Sequence, residues 1–344
     1  MILFDAPVSP DALTAFVRRV PTPSNLALSA MFPTTYRPSN TFDWSEVTKT
    51  NRTARYRAFD GRIHTSKRDG AGDKKVNLPP LSTSLNMGEY ERLQLEFART
   101  GGTRTQALAD AVYNDAEQLA GEIINRGEQA WGDVLTDGKL TINENGLQAE
   151  ADFGMPANHL VASVATAWTN AAATILDNLT SWVNIYTTTN GFAPGSILTS
   201  RKVAQAINSN TQVINAAIGA AAGRTWADNV EVTRALQARG LPSIITQYDT
   251  VLDVDGVTTR VIPEDRVILL PPDLEALGEF RYGLTATALE LVRDSRSQMS
   301  FEDGPGIAAV VDKVGPPYRE FTFVDAVGMP ILRDARLLFA AKVY

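Results

Sequence analysis

The sequence predicts an α+β chain, and three observations carry that prediction. A helical repeat of apolar residues holds over 104–135. Asn145-Gly146 and Asp255-Gly256 each sit between alternating segments, a strong hairpin signal. The last strand-like segments, 320–324 and 337–343, lie far along the chain from the first hairpin, so the C-terminus is expected to return to the first domain.

Residues 1–40 carry six prolines, at 7, 10, 21, 23, 33 and 38. One short helix fits among them, from Pro10 or Asp11 to about Val20, with Leu13, Phe16 and Val17 on one face. The rest reads as an extended arm, because a residue before proline avoids the helical region. Further on, a helix is expected from Met87 to about Arg99, with Asn86 as its cap and Gly101-Gly102 as its stop. The long helix follows, with Leu108, Val112, Ala116, Leu119, Ile123, Trp131 and Leu135 among its apolar positions. At 1.5 Å per residue it would span roughly 45 Å. Alanine at many core positions and a drifting register favour packing on a sheet over a coiled coil.

Strands 139–143 and 147–151 flank Asn145-Gly146. Past Pro156 the chain turns Ala- and Thr-rich, with helices expected over 165–188, 200–208 and 227–240. The stretch between Asn208 and Arg224 is weakly structured by pattern. Strands 244–254 and 257–261 flank Asp255-Gly256, and 266–270 is closed by Pro271-Pro272. Pro330 separates the two final strands.

A chain of 344 residues can bury a sizeable core and ordinarily makes two domains, or one with large insertions. No window approaches the ~18 apolar residues of a membrane span, and Asp5 interrupts the short apolar start, which therefore does not read as a secretory signal. The absence of cysteine removes disulfides, thiolate metal sites and thiol nucleophiles. A net charge of −7 argues against general nucleic-acid binding.

No catalytic constellation stands out in the sequence, and no cofactor or metal site is expected. With only His64 and His159, a histidine-based triad or metal centre is hard to assemble. His159, close to Pro156, reads as structural. Gly219 to Gly223 lacks the lysine and the preceding strand of a phosphate loop. Asp249, Asp253 and Asp255 lack calcium-loop spacing and read as turn formers.

One stretch departs from the acidic average. Residues 52–75 hold Arg52, Arg55, Arg57, Arg62, Lys67, Arg68, Lys74 and Lys75 against three Asp, a local +5 that leaves −12 for the remainder. It alternates at its base, is glycine-rich at its tip, and has no apolar face wide enough to pack on its own domain. Its preferred reading is a loop that lies on an acidic surface of another copy of the chain.

From about residue 150 the wording resembles the tailed-phage major capsid proteins, nearest to the family of the lambda major capsid protein E. The stretches are Asp152-Phe-Gly-Met-Pro156, Trp168, Asn190-Gly191 before Pro194-Gly-Ser-Ile-Leu198, and Gly240-Leu-Pro-Ser-Ile-Ile245. Tyr248-Asp249, the run VILLPP at 267–272, Gly283-Leu-Thr285, Pro316-Pro317 and Met329-Pro-Ile-Leu332 continue them. Residues 1–150 match in layout more than in wording.

The resemblance implies the Hong Kong 97 phage-capsid fold. It would divide the chain into an N-terminal arm (1–44), an extended loop (45–85) and a peripheral domain (86–159) with a spine helix at 103–135. An axial domain (160–315) and C-terminal strands returning to the peripheral domain (316–344) would complete it. The implied function is structural, a subunit that self-assembles as hexamers and pentamers into an icosahedral head around packaged double-stranded DNA. Implied partners are a separate scaffolding protein, a portal protein and a decoration protein, with DNA held without sequence-specific contacts. Assembly would take place in the host cytoplasm, and the product would be the virion capsid. Some relatives of the fold join subunits through a Lys–Asn isopeptide bond. Lys67, Lys74 and Lys75 lie in the loop that would donate, but no motif marks an acceptor, so cross-linking is not expected.

Rival readings are an encapsulin-like compartment shell, a carboxylate-dependent hydrolase with a deep acidic pocket, and a nucleic-acid binder acting through 52–75.

Overall fold

The computed structural model describes residues 8–43, 75–88, 105–219, 223–315 and 319–344. At its centre lies a 33-residue helix, α3 (Thr105–Asp137), about 50 Å long at 1.5 Å per residue. Its buried stripe runs through Val112, Ala116, Leu119, Ala120, Ile123, Trp131 and Leu135. The small alanines let it lie close to a sheet. Gly138, at φ +76°, ends it in the left-handed conformation.

That sheet is organised by one long strand, β15 (Arg319–Leu332). β15 pairs antiparallel with β4 (Pro80–Met87), β13 (Gly278–Tyr282) and β14 (Ala308–Val314), and β1 (Thr34–Tyr36) adds parallel to β13. A second five-stranded sheet has the order β7 (Leu160–Val161), β16 (Phe339–Lys342), β12 (Arg266–Leu270), β8 (Ser196–Thr199) and β9 (Ser243–Gln247). Its strands alternate between two hydrophobic cores. Leu198, Ile268, Leu270 and Ala340 belong to the core beneath α3. Ile197, Val267, Leu269, Phe339 and Ala341 belong to a second core, closed by α4 (Ile175–Asn190), α5 (Arg201–Asn208), α6 (Thr211–Ala217) and α7 (Asn229–Ala238). Because successive strand residues face opposite sides, one sheet serves as the wall of both cores.

Three two-stranded ladders stand apart: β2 (Thr41–Asp43) with β3 (Lys75–Asn77), β5 (Lys139–Glu144) with β6 (Leu147–Asp152), and β10 (Val251–Val254) with β11 (Val257–Arg260). The turns of the last two place Asn145 and Asp255 at positive φ, each followed by glycine, as the dipeptides predict. The long helix and both hairpins thus match the sequence reading closely.

Several expectations are corrected. The N-terminal segment is less extended than its prolines suggest. After α1 (Pro10–Val17), capped by Ser9, it forms a second helix, α2 (Ala27–Met31), and then β1 and β2. Asn86 and Met87 end β4, opposite Phe321 and Glu320, and do not begin a helix; residues 89–99 lie outside the described residues. The helix expected from 165 starts only at Ile175, because Trp168 is pinned to the C-terminal segment by its N–H to Val343 O, 2.9 Å, and Asn170 turns the chain. The weakly patterned stretch holds α6, capped by the buried Asn210. Residues 244–254 are two strands in different sheets, parted where Tyr248 turns inward. Pro330 lies within β15, beyond the last residue paired to β4, where the strand has only β13 beside it, so its missing N–H breaks no second ladder.

Candidate inter-subunit surfaces

Of the eight basic residues singled out in the sequence, Arg52, Arg55, Arg57, Arg62, Lys67, Arg68 and Lys74 lie outside the described residues. Lys75 opens β3, where its backbone pairs with Asp43 of β2. The chain on either side of residues 44–74 therefore meets in one antiparallel ladder, and this root is firmly seated. Phe42 and Leu78 are buried. Leu78 N–H donates to Asn40 O at 2.9 Å. The Asn40 side chain holds Leu284 by both backbone groups, Nδ2 to O and N to Oδ1, each at 2.8 Å.

A charged relay continues inward from the root. The Arg281 guanidinium lies over the Phe42 ring, 4.7 Å from its centre. Arg281 also donates to the fully buried Glu279, Nη2 to Oε1 at 2.7 Å, and Arg333 donates to the other carboxylate oxygen. Burial pushes the Glu279 carboxyl up, but its bonds to the two guanidinium groups outweigh this and hold it below its ordinary value.

A second node joins distant parts of the chain. Glu128, buried on the inner face of α3, accepts from Leu28 N at 2.9 Å, Ser29 N at 2.6 Å and Tyr248 Oη at 2.6 Å. Leu26, at the start of α2, offers no side-chain cap, so Glu128 caps that helix from another element. Sequence reasoning missed this residue. The available signal was its phase, since 128 falls three residues before Trp131 and seven before Leu135, on the apolar stripe of α3.

A groove of about 550 Å³ runs between α3, β4 and the β5–β6 hairpin, floored by Leu81, Ala130, Phe280 and Met329. Its acids are occupied in holding the hairpin. Asp133 accepts from Thr141 N at 2.8 Å, and Glu144 pairs with Arg126 at 2.9 Å. Burial raises the Asp133 carboxyl, partly offset by the Thr141 N–H and by Arg126. His159 is buried against Tyr186 and Phe339, with its ring nitrogens 3.0 Å from Leu338 O and Thr189 Oγ1. Asp249 pairs with Arg260, and Asp253 accepts from Gly256 N at 2.7 Å, so both serve local structure. Among the described residues no group of three metal-ligating side chains converges, and no helix is long and apolar enough to cross a membrane.

The arrangement is one of scaffolding, and similar folds are found in phage shells. The putative capsid protein of a prophage of Escherichia coli CFT073 matches with a TM-score of 0.60 at 14% identity, over 96% of this chain and 97% of that one. A phage-related protein from Bordetella bronchiseptica RB50 matches with a TM-score of 0.51 at 12% identity, over 96% and 95%. At such identities the likeness concerns the fold, that of a phage capsid protein. A search of curated proteins gives no match. The model of the phage major capsid protein E family matches residues 9–300, and the chain belongs to that family. It is a structural subunit of a phage capsid, assembles with copies of itself, and is not an enzyme.

Proposed function

We propose that the chain is laid out on the Hong Kong 97 plan, with residues 45–85 as an extended loop that reaches over a neighbouring subunit in the shell. The observation that carries this reading is the +5 stretch at 52–75 in a chain of net −7, set on a root whose two ends pair at Asp43 and Lys75. Arg52, Arg55, Arg57, Arg62, Lys67, Arg68, Lys74 and Lys75 would meet acidic groups of the next copy, steering association and setting register more than supplying affinity. A hairpin of 24 residues reaches roughly 35–40 Å at ~3.3 Å per residue, enough to bridge a neighbour.

In this layout 1–44 form an N-terminal arm, 86–159 a peripheral domain with α3 as spine, 160–315 an axial domain, and 316–344 strands that rejoin the peripheral domain. The five- and six-fold contacts of the shell fall to the axial domain. Assembly proceeds in the host cytoplasm with a separate scaffolding protein and a portal protein. Double-stranded DNA then enters the head. A net negative subunit suits a shell in which DNA must move without adsorbing.

Electron microscopy of the chain expressed alone and with its neighbouring genes tests the reading. Shells or capsomer-sized rings are the expected result. Reversing Arg55, Arg57 and Arg62 to Glu together should leave the monomer folded and block assembly. Normal shells from that triple variant would refute the inter-subunit role of the loop.

A further inference from the structure

Between Asp152 and Arg201 the chain has 48 residues and one formal charge, Asp177, where its 21% average would place about ten. That charge lies near Arg239 of the same chain, at 3.8 Å. The gap is not explained by burial. The solvent side of α4 exposes Ser181, Asn184 and Thr188, where an outward helix face ordinarily carries lysines and glutamates. The apolar Leu160 and Phe192 are exposed on the same flank, 39% and 43%. The His159–Thr189 contact, at 3.0 Å, ties the start of β7 to the end of α4, and the Tyr186 ring meets both His159 and Phe192, so Leu160 and Phe192 flank the same end of that helix.

The wall sheet places β7 at one edge and β9 at the other. On β9, Ile245 is the residue displaced where the register shifts against Ile197 and Leu198, and it is 67% exposed. On α7, which packs against β9, Val230 is 68% exposed. Opposite edges of one rigid sheet thus present two different apolar surfaces. A ring of identical copies needs that arrangement, because a head-to-tail contact joins two unlike patches and closes by rotation.

We propose that the sparsely charged flank around Leu160, Asn184 and Phe192 of one subunit receives the flank of Ile245 and Val230 of the next. The occupant is a second copy of this chain, since the protein builds a shell from itself. The charge pattern fits that occupant, because a charge desolvated at such a contact must find a partner, and the few charges beside this flank already have one within the chain, Asp177 with Arg239 and Arg336 with Asp334. The inference rests on the capsid reading.

The absence of native cysteine gives a clean test. The double variant Leu160→Cys, Ile245→Cys is assembled with its scaffold and treated with a short bifunctional thiol reagent. A ladder of covalent oligomers ending at the ring size is expected. Asn184→Lys or Ile245→Lys should lower shell yield about tenfold, the factor given by 1.4 kcal/mol, while the monomer's unfolding midpoint stays unchanged. Intact shells without the ladder would overturn the contact alone. Covalent dimers from Leu160→Cys by itself would overturn its head-to-tail sense. Failure of the parent chain to form shells would overturn the capsid reading and the contact with it.

Discussion

The Tyr248 hydroxyl donates to Glu128 at 2.6 Å, joining the turn between β9 and β10 to the middle of α3, 120 residues away. Burial, and then the bond to Glu128 and its negative charge, raise the Tyr248 hydroxyl well above its ordinary value, so it stays a donor. The other Glu128 bonds all go to α2, from the backbone N–H groups of Leu28 and Ser29 and from the Ser29 hydroxyl. One carboxylate therefore holds the N-terminal segment, the long helix and the second sheet in fixed relation.

Replacing Glu128 by Gln should destabilise the fold by about 1–3 kcal/mol, because each carboxylate oxygen accepts a backbone N–H and an amide must turn its own donor toward one of them. Tyr248→Phe removes one bond to a charged group and should cost about 1.5–3 kcal/mol. Urea unfolding of both single variants and the double variant measures the coupling. Additive losses would separate the two residues energetically.

Two glycines of α3 should respond oppositely to alanine. At Gly121 a Cβ meets nothing within 4 Å, and the helix-propensity difference should stabilise by up to about 1 kcal/mol. At Gly132 it would collide with the Val261 carbonyl and lie 2.6 Å from Val261 Cγ1, so Gly132→Ala should be destabilising despite the same propensity. Thermal midpoints moving in one direction for both would contradict this account of the close approach.

Burial holds the His159 imidazole below its ordinary value of 6.5, against the opposing effect of its backbone bonds. The unfolded chain thus takes up a proton in a range where the folded chain does not. Stability should be full above about pH 6.5 and fall as pH drops toward the lowered folded value. In His159→Gln that share of the acid loss should vanish, and unfolding followed from pH 8 to pH 5 measures it.

Arg281→Met should weaken the fold by about 2–4 kcal/mol, since it leaves the buried Glu279 with Arg333 alone and strips the cation from the Phe42 ring. Removing both sides of the pair, with Glu279→Met added, should recover part of that loss. Equal stability of the single and double variants would show that the buried charge is not what the single change strands.

Much of this architecture was legible because local signals agree with tertiary ones. The α3 repeat, the Asn145-Gly146 and Asp255-Gly256 turns and the Arg266–Leu270 strand all emerge where the pattern puts them. The failures share a cause. Residues 165–174 have helix-compatible composition, yet Trp168 is held by Val343, a partner 175 positions away. β15 continues through Pro330 because its neighbour on one side has already ended, which no local reading reveals. Surfaces are the least legible part: Ile245 reads as an ordinary strand residue until the register shift on β9 turns it outward.

The doubled role of the second sheet also sets a timetable. Phe339, Ala340 and Ala341 of β16 are fully buried, divided between the two cores, and lie between β7 and β12. β16 follows β7, β8, β9 and β12 along the chain, so neither core can close around its wall until residues 339–341 have been made. Folding of both cores therefore waits on this one late strand, and only then can the subunit present the surfaces by which copies recognise one another.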